Sequence, residues 1–488
     1  MQKHIVIIGA GAGGLGAAVR LSAAGHKVTV AEANNYVGGK LTEKKIGNYR
    51  FDMGPSVFTL PELIEDLTAL AKEESKFEYV KLDTICNYFY EDGTTLTAYT
   101  NKEKFAKEVS EKFGETKESI YDQLKFSATA YDLTNDIFLN QSLHKLSNFL
   151  NLKTVKAIFN IGKLKMGKTM NEAHSARFKN KKTIQLFNRF ATYTGSDPYQ
   201  APALIGIIAH LEHNIGAFAP KGGMHDITMH LFNLSKKLGA TYLLNTKVTS
   251  IKTENNAVTG VKTSNGFIPA DIVVSNSDIK NLYTNLLDKK LAPKHILDQQ
   301  KSLSAIIFYW GIKSQFKNMN LHNILFSENG EEEFKCMFGE KKHYSDPTIY
   351  INITSKVTTS DAPEGCENWF VMVNVPPNES GQPITYIEEM RKHIIAKINR
   401  VLKTDIEPLI EIEDVLDPYL IEQRTSSFGG SLYGNASNNK FAAFLRHANY
   451  SSKIKNLYFT GGSVHPGGGV PLCLLSAKIV SEMIAEKN

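Results

Sequence analysis

Most of the chemistry legible in this chain is carried by glycines at fixed spacing, with a few charged side chains set among them. Gly9, Gly11 and Gly14 satisfy G-x-G-x-x-G, Ala12 and Gly13 lie inside the motif, and Glu32 follows some twenty residues on. That spacing suits a pyrophosphate: Gly9 permits a tight turn, Gly11 lets phosphates approach the backbone, and Gly14 lets the following helix pack closely. Glu32 is the acid such an arrangement sets on a ribose hydroxyl. An acid there argues against a 2′-phosphate and leaves FAD or NAD. One loop later, Gly38-Gly39-Lys40-Leu41 offers backbone N–H groups and a point charge as a second grip on the pyrophosphate, and Gly54-Pro55-Ser56 follows. A third cluster, Gly461-Gly462-Ser463-Val464-His465-Pro466-Gly467-Gly468-Gly469-Val470-Pro471, opens a helix near the C-terminus and is preceded by Gly429 to Gly434, with Leu432 among them. Exposed N–H groups at a helix start favour an anionic or electron-rich ligand. No acid–base pair stands out. His225 and His465 sit in these motifs but are assigned no role, so the catalytic residues stay unknown. The four cysteines have neither metal nor redox spacing, and no metal site is expected.

The elements that must position these groups can be read from periodicity. His4 to Ile8 is a short β-branched run expected as a buried parallel strand. Gly13 to Ala24 is expected as a helix ending at Gly25, and Lys27 to Val30 as a second strand. Phe190 to Leu211 reads as a buried helix lining a site. Pro220-Lys221-Gly222-Gly223-Met224 is a turn starting a helix that continues to Leu238. A strand is expected to end at Val248, whose backbone is placed to pair with an adenine edge. Asp271 to Ser275 is another, with Asn276 beside the cofactor crevice. Strand-like runs between 289 and 410 mark a second, β-rich pass.

With 488 residues, 22% of them charged, the chain is long enough for two or three domains. Its N-terminal apolar stretch runs straight into the nucleotide fingerprint and is not read as a signal peptide. The longest uncharged stretches are glycine-rich, so no membrane-crossing helix is expected and the protein is placed in the cytoplasm. Between Lys145 and Lys182 ten lysines and arginines face one acid, Glu172, a local balance of +9 against +6 for the whole chain. This is either a solvated basic face or an interfacial anchor for anionic lipid. No recognition motif accompanies the charge, so nucleic acid is not an expected partner.

The fingerprint, Glu32, the GGK run and FDMGPS together resemble the flavin-dependent amine oxidase and carotenoid desaturase superfamily. The PKGGM turn and the tail NLYFTGGSVHPGGGVPLCLLSAKIV closely resemble the bacterial carotenoid desaturases, and VHPGGGVP is most similar to those acting on 1-hydroxylated carotenoids. Many relatives carry arginine where this chain has Lys40. The resemblance implies FAD as cofactor, held by Gly9, Gly11, Ala12, Gly13, Gly14, Glu32, Gly38, Gly39, Lys40, Leu41, Gly54, Pro55, Ser56, Val248, Asn276, Leu432, Gly461, Gly462, Gly468, Gly469 and Val470. It also implies a carotenoid substrate that gains a C-3,4 double bond, with phytoene or another acyclic carotene as the alternative substrate and an amine-oxidase-like flavoenzyme or a redox-idle lipid-binding flavoprotein as the alternative function. An electron acceptor such as oxygen or quinone and peripheral attachment to the inner face of the membrane complete the expectation. The fold it implies is α/β: a discontinuous Rossmann-type FAD-binding domain (1–75, 212–288, 411–488), an inserted α+β substrate domain (76–144, 289–410) and a helical membrane-associating or lid region (145–211).

Overall fold

The run His4–Ile8 is apolar at every position after the first, so as a strand it needs cover on both faces. In the computed structural model, which describes residues 1–144, 167–439, 441 and 446–487, it is the middle strand of a five-stranded parallel sheet. The order is Leu457–Phe459, Ile272–Ser275, His4–Ile8, Lys27–Ala31, Thr241–Leu243. Three stretches far apart in sequence therefore complete one sheet. Ile5 and Ile7 pack with Ala17, Leu21, Val28, Val30 and Ile479 on one side, beneath the helices Ala12–Ala23 and Val470–Ala485. Val6 and Ile8 pack with Ile251, Val261 and Val273 on the other, beneath an antiparallel sheet of Val248–Glu254, Ala257–Thr263 and Gly266–Pro269.

That small sheet corrects one expectation. Val248 begins a strand rather than ending one: the parallel strand stops at Leu243, and the chain turns through Asn245, at φ +50°, before Val248 starts the new sheet. The polar run Asn245-Thr246-Lys247 marks the turn in the sequence.

The second layer is a seven-stranded sheet in the order Ile410–Leu416, Ser304–Ile312, Glu367–Val375, Ile349–Ile353, His322–Leu325, Thr84–Phe89, Thr95–Tyr99. Alternation sorts its side chains. Phe308, Trp310, Leu325, Ile351, Trp369 and Val371 point one way and are sealed by Met390, Ile394 and Ile398 of the helix Ile387–Leu402. Each such buried side chain contributes roughly 1.5–3 kcal/mol. Cys86, Tyr88, Ile324 and Phe326 face the opposite way, toward a cap of helices. Ile410–Leu416 is hydrogen-bonded along Ser304–Ile312, so this sheet reaches past residue 410.

The cap is built from Lys102–Phe113 and Lys117–Thr134, whose first turns are closed by the side chains of Asn101 and Thr116. It continues with Met170–Ser175 and Lys181–Asn188. The segment 190–211 is not one helix, as its composition had indicated. Helical turns at Arg189–Thr194 and Ala203–Ile207 are separated at Gly195, which adopts φ +58°, and by Pro198 and Pro202. Of the basic segment 145–182, residues 145–166 lie outside the described residues. Among the described residues, no helix is long and apolar enough to cross a membrane.

Candidate functional site

A cavity of about 1000 Å³ opens between the parallel sheet and the cap, at the upper end of the usual range for ligand pockets. One end is glycine-lined. Gly9, Gly11, Ala12 and Gly13 edge it where the helix Ala12–Ala23 begins, with no side chain capping its first N–H groups. These donors are free for an anion. Glu32, 6% exposed, lies alongside and accepts from the N–H of Ala10 at 2.7 Å and from Asn34 at 2.9 Å. A carboxylate has roughly four acceptor positions, so capacity remains for a ribose hydroxyl. The loops approach too closely for side chains. A Cβ on Gly13 would sit 2.7 Å from Asn276 Oδ1 and 2.8 Å from Gly461 N, and one on Gly14 would sit 2.0 Å from Gly9 O. Asn276 is thus the post around which the N-terminal and C-terminal glycine loops close. The donors, the acid and the cradle fit the ADP moiety of a dinucleotide.

The C-terminal cluster completes the same end. Gly462, Gly468, Gly469 and Val470 line the cavity where the helix Val470–Ala485 begins, again without a side-chain cap, so a second helix N-terminus faces it. The two glycine loops interlock: a Cβ on Gly468 would meet Tyr433 Cα at 2.8 Å, and one on Gly434 would meet Ser463 Cα at 2.9 Å. Arg446, 4% exposed, donates to the carbonyls of Tyr433 at 3.1 Å and Asn435 at 3.0 Å, and burial lowers it to about 10. It leaves a positive charge beside Gly467. Cys473 also faces the cavity, and burial pushes its thiol up to about 11, so it is present as thiol.

Lys40 departs from the expected phosphate contact. Its Nζ donates to the carbonyls of Ser431 at 2.7 Å and Leu432 at 3.1 Å, tying the second glycine motif to the C-terminal loop. Burial lowers it to about 8, with Asp278 opposing. The FDMGPS and PKGGM stretches are joined as well. Asp52 accepts from the N–H groups of Met224 and His225, which start the helix His225–Lys237, and pairs with Arg50 at 2.7 Å.

Beyond the glycine end the walls turn apolar. Ile307, Ile324, Phe326, Phe370 and Met372 come from the large sheet, and Leu204, Ile207, Ile208 and Leu211 from the cap. Set among them is a buried polar cluster that sequence reasoning did not find. Arg189 pairs with Glu212 at 2.7 Å, their side chains 6% and 2% exposed, and the Tyr193 hydroxyl donates to the same carboxylate. Burial works against the charge on Arg189, yet Glu212 and the neighbouring tyrosines outweigh it and hold the guanidinium firmly protonated. His322 and Tyr350 project from the sheet nearby. No motif marked these residues, though the segment expected to line the site, Phe190 to Leu211, lies between Arg189 and Glu212.

Of the residues expected at the cofactor, nineteen edge this cavity, from Gly9 to Val470, including Leu41, Gly38, Gly39, Gly54, Pro55, Ser56, Val248 and Leu432. Gly14 and Gly461 do not. Those two serve close packing of backbone on backbone and on Asn276. His465 lines the cavity, its Nε2 on the carbonyl of Gln141, and burial lowers it to about 4. His225 does not line it and lies against Glu43. Among the described residues no cluster of ligands could hold a metal ion.

Known proteins resemble this chain. The flavin containing amine oxidoreductase family matches residues 12–485. A 1-hydroxycarotenoid 3,4-desaturase from Flavobacterium sp. (strain P99-3) is 48% identical over 488 residues, covering 100% of both chains. A 4,4'-diaponeurosporene oxygenase from Staphylococcus aureus (strain MRSA252) is 31% identical, covering 99% of this chain and 98% of the other. The structure of wild-type putrescine oxidase bound to putrescine superposes with a TM-score of 0.66 at 14% identity, over 100% of this chain and 99% of that one, a likeness of fold alone. With its glycine cradle, its paired helix N-termini and full-length likeness to these proteins, the chain belongs to the flavin containing amine oxidoreductase family, on its carotenoid desaturase branch.

Proposed function

We propose that this chain holds FAD at the glycine-lined end of the cavity and introduces the C-3,4 double bond of a 1-hydroxycarotenoid. The observation that carries this reading is the 48% identity, over the whole of both chains, to a 1-hydroxycarotenoid 3,4-desaturase. Gly9, Gly11, Ala12, Gly13, Gly38 and Gly39 then face the pyrophosphate, Glu32 the ribose, and Val248 the adenine. Gly462, Gly468, Gly469 and Val470 face the ring system. When bound, the flavin supplies the two-electron acceptor for the hydride that leaves one of two adjacent carbons.

The chain's own residues do the rest. The helix start at Gly469–Val470 and the charge on Arg446 favour negative charge building up beside them. The apolar wall of Ile307, Ile324, Phe370 and Met372 excludes water and holds a rigid polyene, each Å² of buried apolar surface contributing roughly 25 cal/mol. A positive charge developing on an allylic carbon is delocalised along such a polyene, so the proton that leaves beside it needs no strong base. In this division 1–75, 212–288 and 417–488 bind the cofactor, and 76–144 and 289–416 bind the substrate. The chain works at the inner, cytoplasmic face of a membrane that stores the carotenoid, and passes its electrons to oxygen or a quinone.

The test is to feed the purified flavoprotein 1'-hydroxy-γ-carotene, γ-carotene and phytoene. The expected product of the first has lost two hydrogen atoms and absorbs further to the red. Equal turnover of the hydroxylated and plain carotenes, or efficient use of phytoene, would overturn the substrate assignment. The 31% identity to a diaponeurosporene oxygenase favours a second reading, oxygen insertion at an acyclic end, and a product heavier by an oxygen atom would establish it.

A further inference from the structure

The hydroxyl oxygen of a 1-hydroxycarotenoid is three bonds from C-3. Whatever recognises it therefore sits beside the carbons being oxidised, at the cofactor end of the apolar chamber. One polar group there is left unmatched. His322 is 3% exposed and lines the cavity, and its Nε2 has no hydrogen-bond partner. The other ring nitrogen is fully engaged, with Nδ1 2.7 Å from the Tyr350 hydroxyl and 3.2 Å from Asn352 Nδ2. The Asn352 amide nitrogen can only donate, and it also donates to the carbonyl of Leu321 at 2.9 Å, so Nδ1 is an acceptor. Burial, reinforced by the charge on Arg189, lowers His322 to about 3 and keeps the ring neutral. A neutral ring accepting at Nδ1 carries its proton on Nε2.

The orientation extends back to the cofactor motifs. With Nδ1 as acceptor, Tyr350 donates to it and accepts in turn from Ser56 Oγ at 2.7 Å. Ser56 belongs to the stretch in which the Lys40 carbonyl closes against Gly54. Ser56, Tyr350 and His322 form a directed chain of hydrogen bonds that starts at the glycine cradle, crosses onto the substrate sheet and ends in a buried N–H with no acceptor. Buried donors are rarely left so without a purpose. Arg189 Nε is also unmatched, but its guanidinium is enclosed by the rings of Phe190, Tyr88 and Tyr193, 4.3, 5.1 and 5.6 Å from their centroids, and is already paired with Glu212.

We propose that the Nε2–H of His322 donates to the tertiary hydroxyl of the substrate and sets the preference for hydroxylated over plain carotenoid ends, with Tyr350 and Ser56 as positioning residues that fix its tautomer. The inference rests on the 1-hydroxycarotenoid reading above. A donor of this kind rejects a ligand lacking the hydroxyl, because the N–H stays unpaired when that ligand binds.

The experiment compares kcat/KM for 1'-hydroxy-γ-carotene and γ-carotene in the flavin-loaded wild type, His322→Leu, His322→Gln and Tyr350→Phe, with flavin content as the control for folding. The wild type is expected to favour the hydroxylated substrate by about 100-fold or more. In His322→Leu the ratio is expected to fall below about fivefold, through a higher KM for the hydroxylated substrate, while turnover of γ-carotene holds or rises. A merely structural role would depress both substrates together. His322→Gln retains an N–H donor and is expected to restore a ratio of about tenfold. A wild type that discriminates while His322→Leu keeps its full ratio overturns the proposal and leaves the substrate reading standing. A wild type that does not discriminate overturns both. If His322→Leu fails to retain flavin, Tyr350→Phe, which removes a single oxygen atom, decides: an unchanged ratio refutes the relay, and a fall of about threefold or more supports it.

Discussion

Replacing Gly11 with valine tests the cofactor cradle where steric and conformational effects separate. Gly11 has φ −73° and ψ 176°, a backbone that any residue adopts, so the substitution changes space and not conformation. A Cβ there would lie 2.9 Å from Asn276 Nδ2 and 3.9 Å from Gly38 O, and the two methyl groups beyond it occupy the gap between the glycine loops. A pyrophosphate then cannot reach the N–H groups of Ala12 and Gly13. Hydrogen bonds to a charged group contribute about 1.5–3 kcal/mol each, so losing two weakens FAD binding by about 3–6 kcal/mol. That is roughly two to four powers of ten in Kd. The assay is the flavin-to-protein ratio after purification, followed by titration of stripped apoprotein with FAD, read by flavin fluorescence. The thermal midpoint of the apoprotein serves as the folding control and is expected to fall only by what overpacking against Asn276 costs, about 1–3 kcal/mol. Normal flavin content with an affinity within threefold of wild type would refute the assignment of this loop.

Three further outcomes are expected. Glu212→Gln leaves the Arg189 guanidinium buried without a counter-charge, which costs about 3–5 kcal/mol; an unchanged urea midpoint would contradict the geometry of that pair. Burial raises the Glu333 carboxyl to about 7, so above pH 4.5 the folded chain keeps a proton that the unfolded chain releases. Its contribution is full below pH 4.5 and is lost as pH rises through 7, by roughly 3 kcal/mol in all. Glu333→Gln should flatten that decline in urea unfolding followed from pH 5 to 8, and a slope equal to wild type would count against it. Liposome binding should rise with anionic lipid and fall with added salt if the basic segment 145–182 anchors the protein, each lysine contributing roughly 1 kcal/mol near the surface; salt-insensitive binding, or none, would favour a solvated face.

What the sequence determined by itself was local. His4 to Glu32 declared a strand, a glycine turn, a helix and a second strand because each is encoded by neighbours within a few residues, and Gly461 to Val470 declared a helix start for the same reason. That the flanking pieces return to one sheet was suggested by the strand-like run Asp271 to Ser275 and by motif resemblance. Val248 shows where periodicity ends: Asn245-Thr246-Lys247 offers a turn, but which sheet Val248 then joins depends on strands distant in sequence. Lys40 reads as a phosphate ligand from its neighbours, and only folding brings the carbonyls of Ser431 and Leu432 to its ammonium. Tyr350 and His322 carry no motif, and neither do Arg189 and Glu212; they meet, with Ser56 of the FDMGPS stretch, because the register of the large sheet and the packing of the cap place them at one cavity. Secondary structure answers to short-range sterics and hydrophobic period, which a single chain displays openly. A buried polar contact answers to which strands become neighbours and in what register, and that is settled by the burial of whole faces at once.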